Sequence, residues 1–111
     1  MSLKLVQMNL NHTAAAQDLL LQAMAEKWDL AIISEPYRVP EHPHWAGDTE
    51  GLAAVVWAGS ENSPPIQVLE RDRGYVVVKW GSTITASCYA SPNKSTEAFE
   101  RYLDGLELAV R

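Results

Sequence analysis

The residue best suited to chemistry is Glu35. A short apolar run, Leu30-Ala31-Ile32-Ile33, has the length and composition of a buried strand and gives way to Ser34-Glu35-Pro36-Tyr37. Pro36 lacks an N–H and biases the residue before it away from the α region. The spacing therefore predicts a strand that stops at Glu35 and delivers its carboxylate to the mouth of a sheet. Hard cations such as Mg²⁺ take oxygen ligands, often only one or two carboxylates plus water and phosphate oxygens. Glu35 is the candidate metal ligand. The competing reading is that Glu35 opens a solvated loop.

Two further groups have side chains suited to an anionic substrate. Asn9 and Asn11 stand two residues apart, where strand alternation puts both amides on one face. Such amides donate to phosphate oxygens or orient a metal-bound carboxylate, although asparagine also favours turns. Later, Tyr89 precedes Ala90-Ser91-Pro92-Asn93, a strand-breaking stretch. A tyrosine hydroxyl at a strand end can donate to a phosphoryl oxygen or orient an attacking water, and Asn93 can bind phosphate.

In order and rough spacing, Gln7-Met8-Asn9-Leu10-Asn11, Ser34-Glu35-Pro36-Tyr37 and Tyr89 to Asn93 resemble the endonuclease/exonuclease/phosphatase superfamily. The wording Ala15-Ala16-Gln17-Asp18-Leu19-Leu20 and Ser34 to Pro40 looks most like the apurinic-type endonuclease domain of non-LTR retrotransposons. The resemblance covers nearly the whole chain and matches the first half of that domain. It implies Mg²⁺-dependent hydrolysis of DNA phosphodiesters, with Asn9, Asn11, Glu35, Tyr89 and Asn93 as site residues and Glu35 on the metal. It also implies one half of a two-sheet α/β sandwich, mostly antiparallel, with two helices. Some relatives carry Asp where Asn11 stands, and Asn93 is one residue further from Tyr89 than in the shortest relatives. The Asp-x-Asn and Ser-Asp-His motifs of the family do not occur in the 111 residues. By this reading the chain is a truncated endonuclease, inactive alone. The alternative is a non-catalytic α/β interaction module, self-associating through a bare sheet face. A phosphomonoesterase or phosphoinositide phosphatase of the superfamily is a third possibility, disfavoured by the Ser-Glu-Pro-Tyr wording.

The elements that must position these residues follow from periodicity. Leu3 to Asn9 reads as a first strand, apolar enough on both sides for burial between layers. Thr13 is a plausible cap for a helix from Ala14 to Lys27, whose Ala16, Leu19, Leu20, Ala23 and Met24 make one apolar face. Residues 35–51 read as a long loop stiffened by Pro36, Pro40 and Pro43. Its Tyr37, Arg38 and Trp45 could meet a base or a phosphate, with Trp45 better read as an anchor onto the body. Short strands follow at Leu52–Trp57, Ile66–Glu70, Tyr75–Trp80 and Thr83–Tyr89, in the spacing of an antiparallel meander. Arg71 and Arg73 fall in a turn. Ser95 caps a last helix bearing Phe99, Tyr102, Leu103, Leu106 and Val110.

Composition sets the bounds. With 111 residues, 47% of them hydrophobic, the chain is expected to form one domain with a real core. A net charge of −5 argues against a broad basic surface, so charge adds nothing to a nucleic-acid reading. No apolar run is long enough to cross a membrane and no signal peptide is apparent. The lone Cys88 fits a reducing compartment, nuclear or cytoplasmic, and is expected to be a small buried hydrophobe. His12, His42 and His44 have no zinc-type partners, and none is placed by the sequence to act as a base.

Overall fold

The structure, a computed structural model, describes residues 4–61 and 63–89. Among these residues a first strand, β1 (Leu5–Asn9), is followed by helix α1 (Ala14–Lys27) and by β2 (Leu30–Ser34). Then come β3 (Trp45–Gly47), β4 (Ala53–Trp57), β5 (Ile66–Asp72), β6 (Tyr75–Trp80) and β7 (Thr83–Cys88). They form two sheets, one ordered β1-β2-β4-β3 and one ordered β5-β6-β7. Only β1 and β2 are parallel, since the helix between them carries the chain back; every other pair is antiparallel. The α/β class and the mostly antiparallel strands are as expected. The second helix and Asn93 lie outside the described residues.

Strand alternation builds two cores around the first sheet. Ala31, Ile33, Ala54 and Val56 point one way and pack with Leu20 and Met24 of α1 and with Leu10. Leu30, Val55 and Ala46 point the other way and meet Val76, Val78 and Trp80 of the second sheet. The order is therefore helix, sheet, sheet. β2 and β4 are buried on both faces, which is why each is a continuous apolar run rather than an alternating one. Each fully buried Val or Ile contributes about 1.5–3 kcal/mol.

Several expectations are corrected. β1 is not buried between layers: it is an edge strand, with Leu5 and Met8 41% and 43% exposed. Neither inner face of the first sheet is bare, because α1 and the second sheet cover them. On α1, Leu20 and Met24 are buried but Leu19 points out, and the polar Gln17 is buried instead. Thr13 occupies the N-cap without a side-chain capping bond; its hydroxyl donates to the Asn11 carbonyl (3.1 Å). The 35–51 connection is not a plain loop, since β3 pairs with β4 inside it. Arg71 belongs to β5 rather than to a turn. Cys88 is exposed, because alternation from Ser87, which faces the first sheet, puts Cys88 on the opposite face of β7.

Polar bonds clamp both ends of the layers. At the end where β1 and β2 begin, Asp29 accepts the Lys4 N–H (2.8 Å) and the Ser60 hydroxyl (3.1 Å). At the opposite end the buried Asp48 carboxylate accepts three backbone N–H groups. Its Oδ1 takes Leu52 (2.7 Å) and Ala53 (3.2 Å), and its Oδ2 takes Gly74 (2.7 Å) in the β5–β6 turn. Gly74 has φ 86°, a conformation that favours glycine, and this brings its N–H onto the carboxylate. Ser87 adds a buried tie between sheets, its hydroxyl donating to the Ile33 carbonyl (2.7 Å).

Asp48→Ala strands three donors and removes charge-assisted bonds worth about 1.5–3 kcal/mol each when taken singly. Non-additivity within one carboxylate reduces the total, and a loss on the order of 3 kcal/mol is expected. Urea unfolding followed by tryptophan fluorescence measures it; a loss under about 1 kcal/mol would show that the clamp is not structural.

Candidate active site

Strands β1, β2 and β7 end at the same edge of the layers, and their last residues or the next ones carry the candidate groups. Asn9 closes β1 in parallel register with Ser34, the last residue of β2. Glu35 follows Ser34, and Tyr89 follows Cys88 at the end of β7. Three segments, far apart in sequence, thus bring Asn9, Asn11, Glu35 and Tyr89 to one mouth.

The backbone there is held in an uncommon shape. Asn11, His12 and Glu35 have φ of 51°, 54° and 51°, and among the described residues they are the non-glycine positions with positive φ. Glu35 is therefore not extended, as the following proline would favour; it turns sharply. Hydrogen bonds fix the turn from both sides. The Glu35 N–H donates to the Leu52 carbonyl (2.9 Å), and its own carbonyl accepts the His12 N–H (2.8 Å). The Leu10 N–H donates to the Ser34 carbonyl (3.0 Å). Such conformations cost roughly 1–3 kcal/mol each and cluster at functional sites.

The turn chemistry of asparagine and its ligand chemistry coexist here. The Asn9 side-chain oxygen accepts the Asn11 N–H (2.8 Å), an Asx turn. That leaves the Asn9 amide N–H₂ as the donating half of the side chain. Glu35 has a side chain only 19% exposed, yet it faces the mouth. The Tyr89 hydroxyl neighbours this carboxylate closely enough to feel its charge. Partial burial pushes the Tyr89 hydroxyl above its usual 10.0, and the charge of Glu35 pushes the same way. Tyr89 therefore stays a protonated donor throughout the neutral range.

Sequence reasoning missed His12. Its Nε2 lies 3.9 Å from Glu35 Oε1, and its Nδ1 is 2.9 Å from the Pro36 carbonyl. The only sequence signal was adjacency to Asn11. His42 and His44 are elsewhere, stacked edge-to-face with each other and with Trp57. Among the described residues no group of three or more His, Cys, Asp or Glu gathers as a ready-made metal site.

Beside the mouth runs a groove of about 410 Å³ that Pro36, Tyr37, Arg38, Gly51 and Arg71 help to line. Buried Gln17 fixes its wall: the Gln17 oxygen accepts the Tyr37 and Arg38 N–H groups (2.8 and 3.2 Å), and its amide donates to the Arg38 carbonyl (2.8 Å). Tyr37, Arg38 and Arg71 remain exposed. Trp45 is half-buried against the helix-side core, which makes it an anchor.

No family model and no curated protein sequence matches the chain. Among solved structures it is similar to the endonuclease domain of TRAS1, a telomere-specific non-LTR retrotransposon, with a TM-score of 0.67 over 99% of this chain at 21% identity. The chain has that endonuclease-type fold. It spans about half of the TRAS1 chain, 54% of its length. The resemblance that the Asn, Glu and Tyr motifs carried is thus matched in three dimensions at the level of the fold.

Glu35→Gln removes the negative charge beside Tyr89 but leaves its surroundings as covered as before. The Tyr89 pKa is expected to fall toward 10.0 while that of Tyr75, raised by burial and by Asp72 and Glu70, stays high. Carbon-13 NMR of labelled tyrosine rings across alkaline pH reads both. In the parent protein the stabilising neutral tyrosines persist below the unfolded pKa, and stability declines as pH rises through the folded values.

Proposed function

We propose that this chain carries part of a metal-dependent phosphodiesterase site acting on DNA. The supporting observation is the convergence of Asn9, Asn11, Glu35 and Tyr89 at one strand-end mouth, with Tyr89 a close neighbour of Glu35. The fold shared with a retrotransposon endonuclease domain adds to it. Asn93 belongs to the proposed set by the sequence resemblance.

The residues fit a hard cation: one shielded carboxylate with amide and hydroxyl oxygens nearby, and room for water and phosphate oxygens. Glu35 would hold Mg²⁺, which when bound supplies positive charge for the developing phosphorane. The chain's own groups do the positioning. Asn9 donates its amide to a phosphate oxygen, and Asn11 orients the carboxylate or the phosphate. Tyr89 donates its hydroxyl to the phosphoryl group as charge builds there. Arg38 and Arg71 meet flanking phosphates along the groove, and Tyr37 offers a face for a base.

The lack of a third acidic or imidazole group among the described residues favours a second reading, a non-catalytic interaction module. Among the described residues β1 is an edge strand, and its exposed Leu5 and Met8 give such a module a surface for self-association.

Supercoiled-plasmid nicking separates the readings. The 111-residue chain alone is expected not to nick. Completed with the remaining part of the TRAS1 domain, it is expected to nick with Mg²⁺ and to lose this on Glu35→Gln. Removing one preorganised donor costs about 10²–10³ in rate, and Tyr89→Phe or Asn9→Ala should each fall in that range without loss of thermal stability. A completed domain that binds no DNA, beside a concentration-dependent dimer of the chain in size-exclusion chromatography, would favour the module.

A further inference from the structure

His12 has the two properties of a metal-binding histidine. Its Nδ1 is 2.9 Å from the Pro36 carbonyl, and a carbonyl only accepts, so Nδ1 carries the proton and donates. In the neutral ring this leaves the lone pair on Nε2. Metal-ligating histidines almost always donate their other ring N–H to a carbonyl or carboxylate in this way. The lone pair is also in the right place. Nε2 lies 3.9 Å from Glu35 Oε1, too far for the roughly 2.7–2.9 Å of a charge-assisted hydrogen bond. Two ligands at about 2.0–2.2 Å from one tetrahedral ion stand roughly 3.4 Å apart, so a closure of about half an ångström by side-chain rotation lets one cation bridge the pair. The His12 N–H donating to the Glu35 carbonyl (2.8 Å) keeps the two residues in register.

We propose that His12 is the second protein ligand of the Glu35 cation site, and that the site therefore binds zinc-class cations in preference to Mg²⁺. This rests on the reading of Glu35 as a metal ligand. A site with an imidazole nitrogen and a carboxylate suits Zn²⁺ and other imidazole-binding transition ions, whereas Mg²⁺ is satisfied by oxygen alone. Water and a substrate phosphate oxygen complete the coordination. The two-ligand site is open, as a site that must admit substrate needs to be.

The test is titration of the full chain with Zn²⁺ and with Mg²⁺ by calorimetry, beside nitrogen-15 NMR of the histidine rings. His12→Asn is the variant, because asparagine tolerates the positive φ at this position. The expected result is a Zn²⁺ affinity lowered at least about tenfold, the smaller cost of losing even an outer partner of a ligand, with Mg²⁺ binding unchanged. The His12 Nε2 resonance should shift on Zn²⁺ addition, with those of His42 and His44 unmoved. Unchanged Zn²⁺ affinity in His12→Asn, or shifts confined to His42 and His44, overturns the proposal. Glu35→Gln separates the two claims. If it binds Zn²⁺ as the parent does, the Glu35 reading fails and this one with it. If Glu35→Gln loses Zn²⁺ and His12→Asn does not, only the present inference falls.

Discussion

One buried carboxylate sets the geometry on which the mouth depends. Asp48 holds Leu52 through Oδ1 and Gly74 through Oδ2. The Leu52 carbonyl accepts the Glu35 N–H, and the Gly74 carbonyl accepts the Tyr89 N–H (2.8 Å). Asp48 thus lies one peptide behind each of the two residues that meet across the sheets. The constraint is electrostatic as well as steric, since a carboxylate accepting several N–H bonds in a dry setting is far stronger than a neutral acceptor. Without such a link, Glu35 on one sheet and Tyr89 on the other would be related only by the packing of valines and alanines. Apolar packing fixes the layer spacing but is less specific about sliding.

The positive φ values of Asn11, His12 and Glu35 are a consequence of that rigid frame. A chain free to relax would place none of them there, because left-handed backbone costs any residue with a Cβ. Here three elements over-determine the mouth: the β1–β2 pairing, the Leu52 carbonyl and the Pro36 carbonyl that receives the His12 ring. The local strain is offset by the two cores and aims side chains that relaxed strands would point elsewhere. Glu35 is turned out of the strand path toward the mouth instead of continuing into the loop.

The sequence made legible what is local. An apolar run before Ser34, a helix from Ala14 to Lys27 and a valine-rich strand at Tyr75–Trp80 all match the structure, because each is decided within a few residues. What stayed hidden depends on distant partners. Asp48 looks like any loop aspartate until Gly74, 26 residues on, donates to it. His12 looks like loop filler until the chain returns at Glu35. Three residues at Trp45–Gly47 have no period to read; they become a strand only because β4 offers an edge. β1 carries as many apolar residues as a buried strand, and only the strand order shows it at an edge. The gathering of Asn9, Glu35 and Tyr89 was anticipated from a resemblance, not from spacing alone.

The closeness of Tyr89 to Glu35 bears on how such a mouth would work. A phenolic hydroxyl has one proton and serves one acceptor at a time. The Glu35 carboxylate beside Tyr89 is only 19% exposed, so part of its hydration is lost and a nearby donor or cation is favoured there. A cation held at Glu35 would meet that need and would leave the Tyr89 hydroxyl free for a phosphate oxygen. Burial and the negative neighbour keep the proton on Tyr89 in the protein as it stands. The frame built on Asp48, through Leu52 behind Glu35 and Gly74 behind Tyr89, fixes where that one proton can be offered.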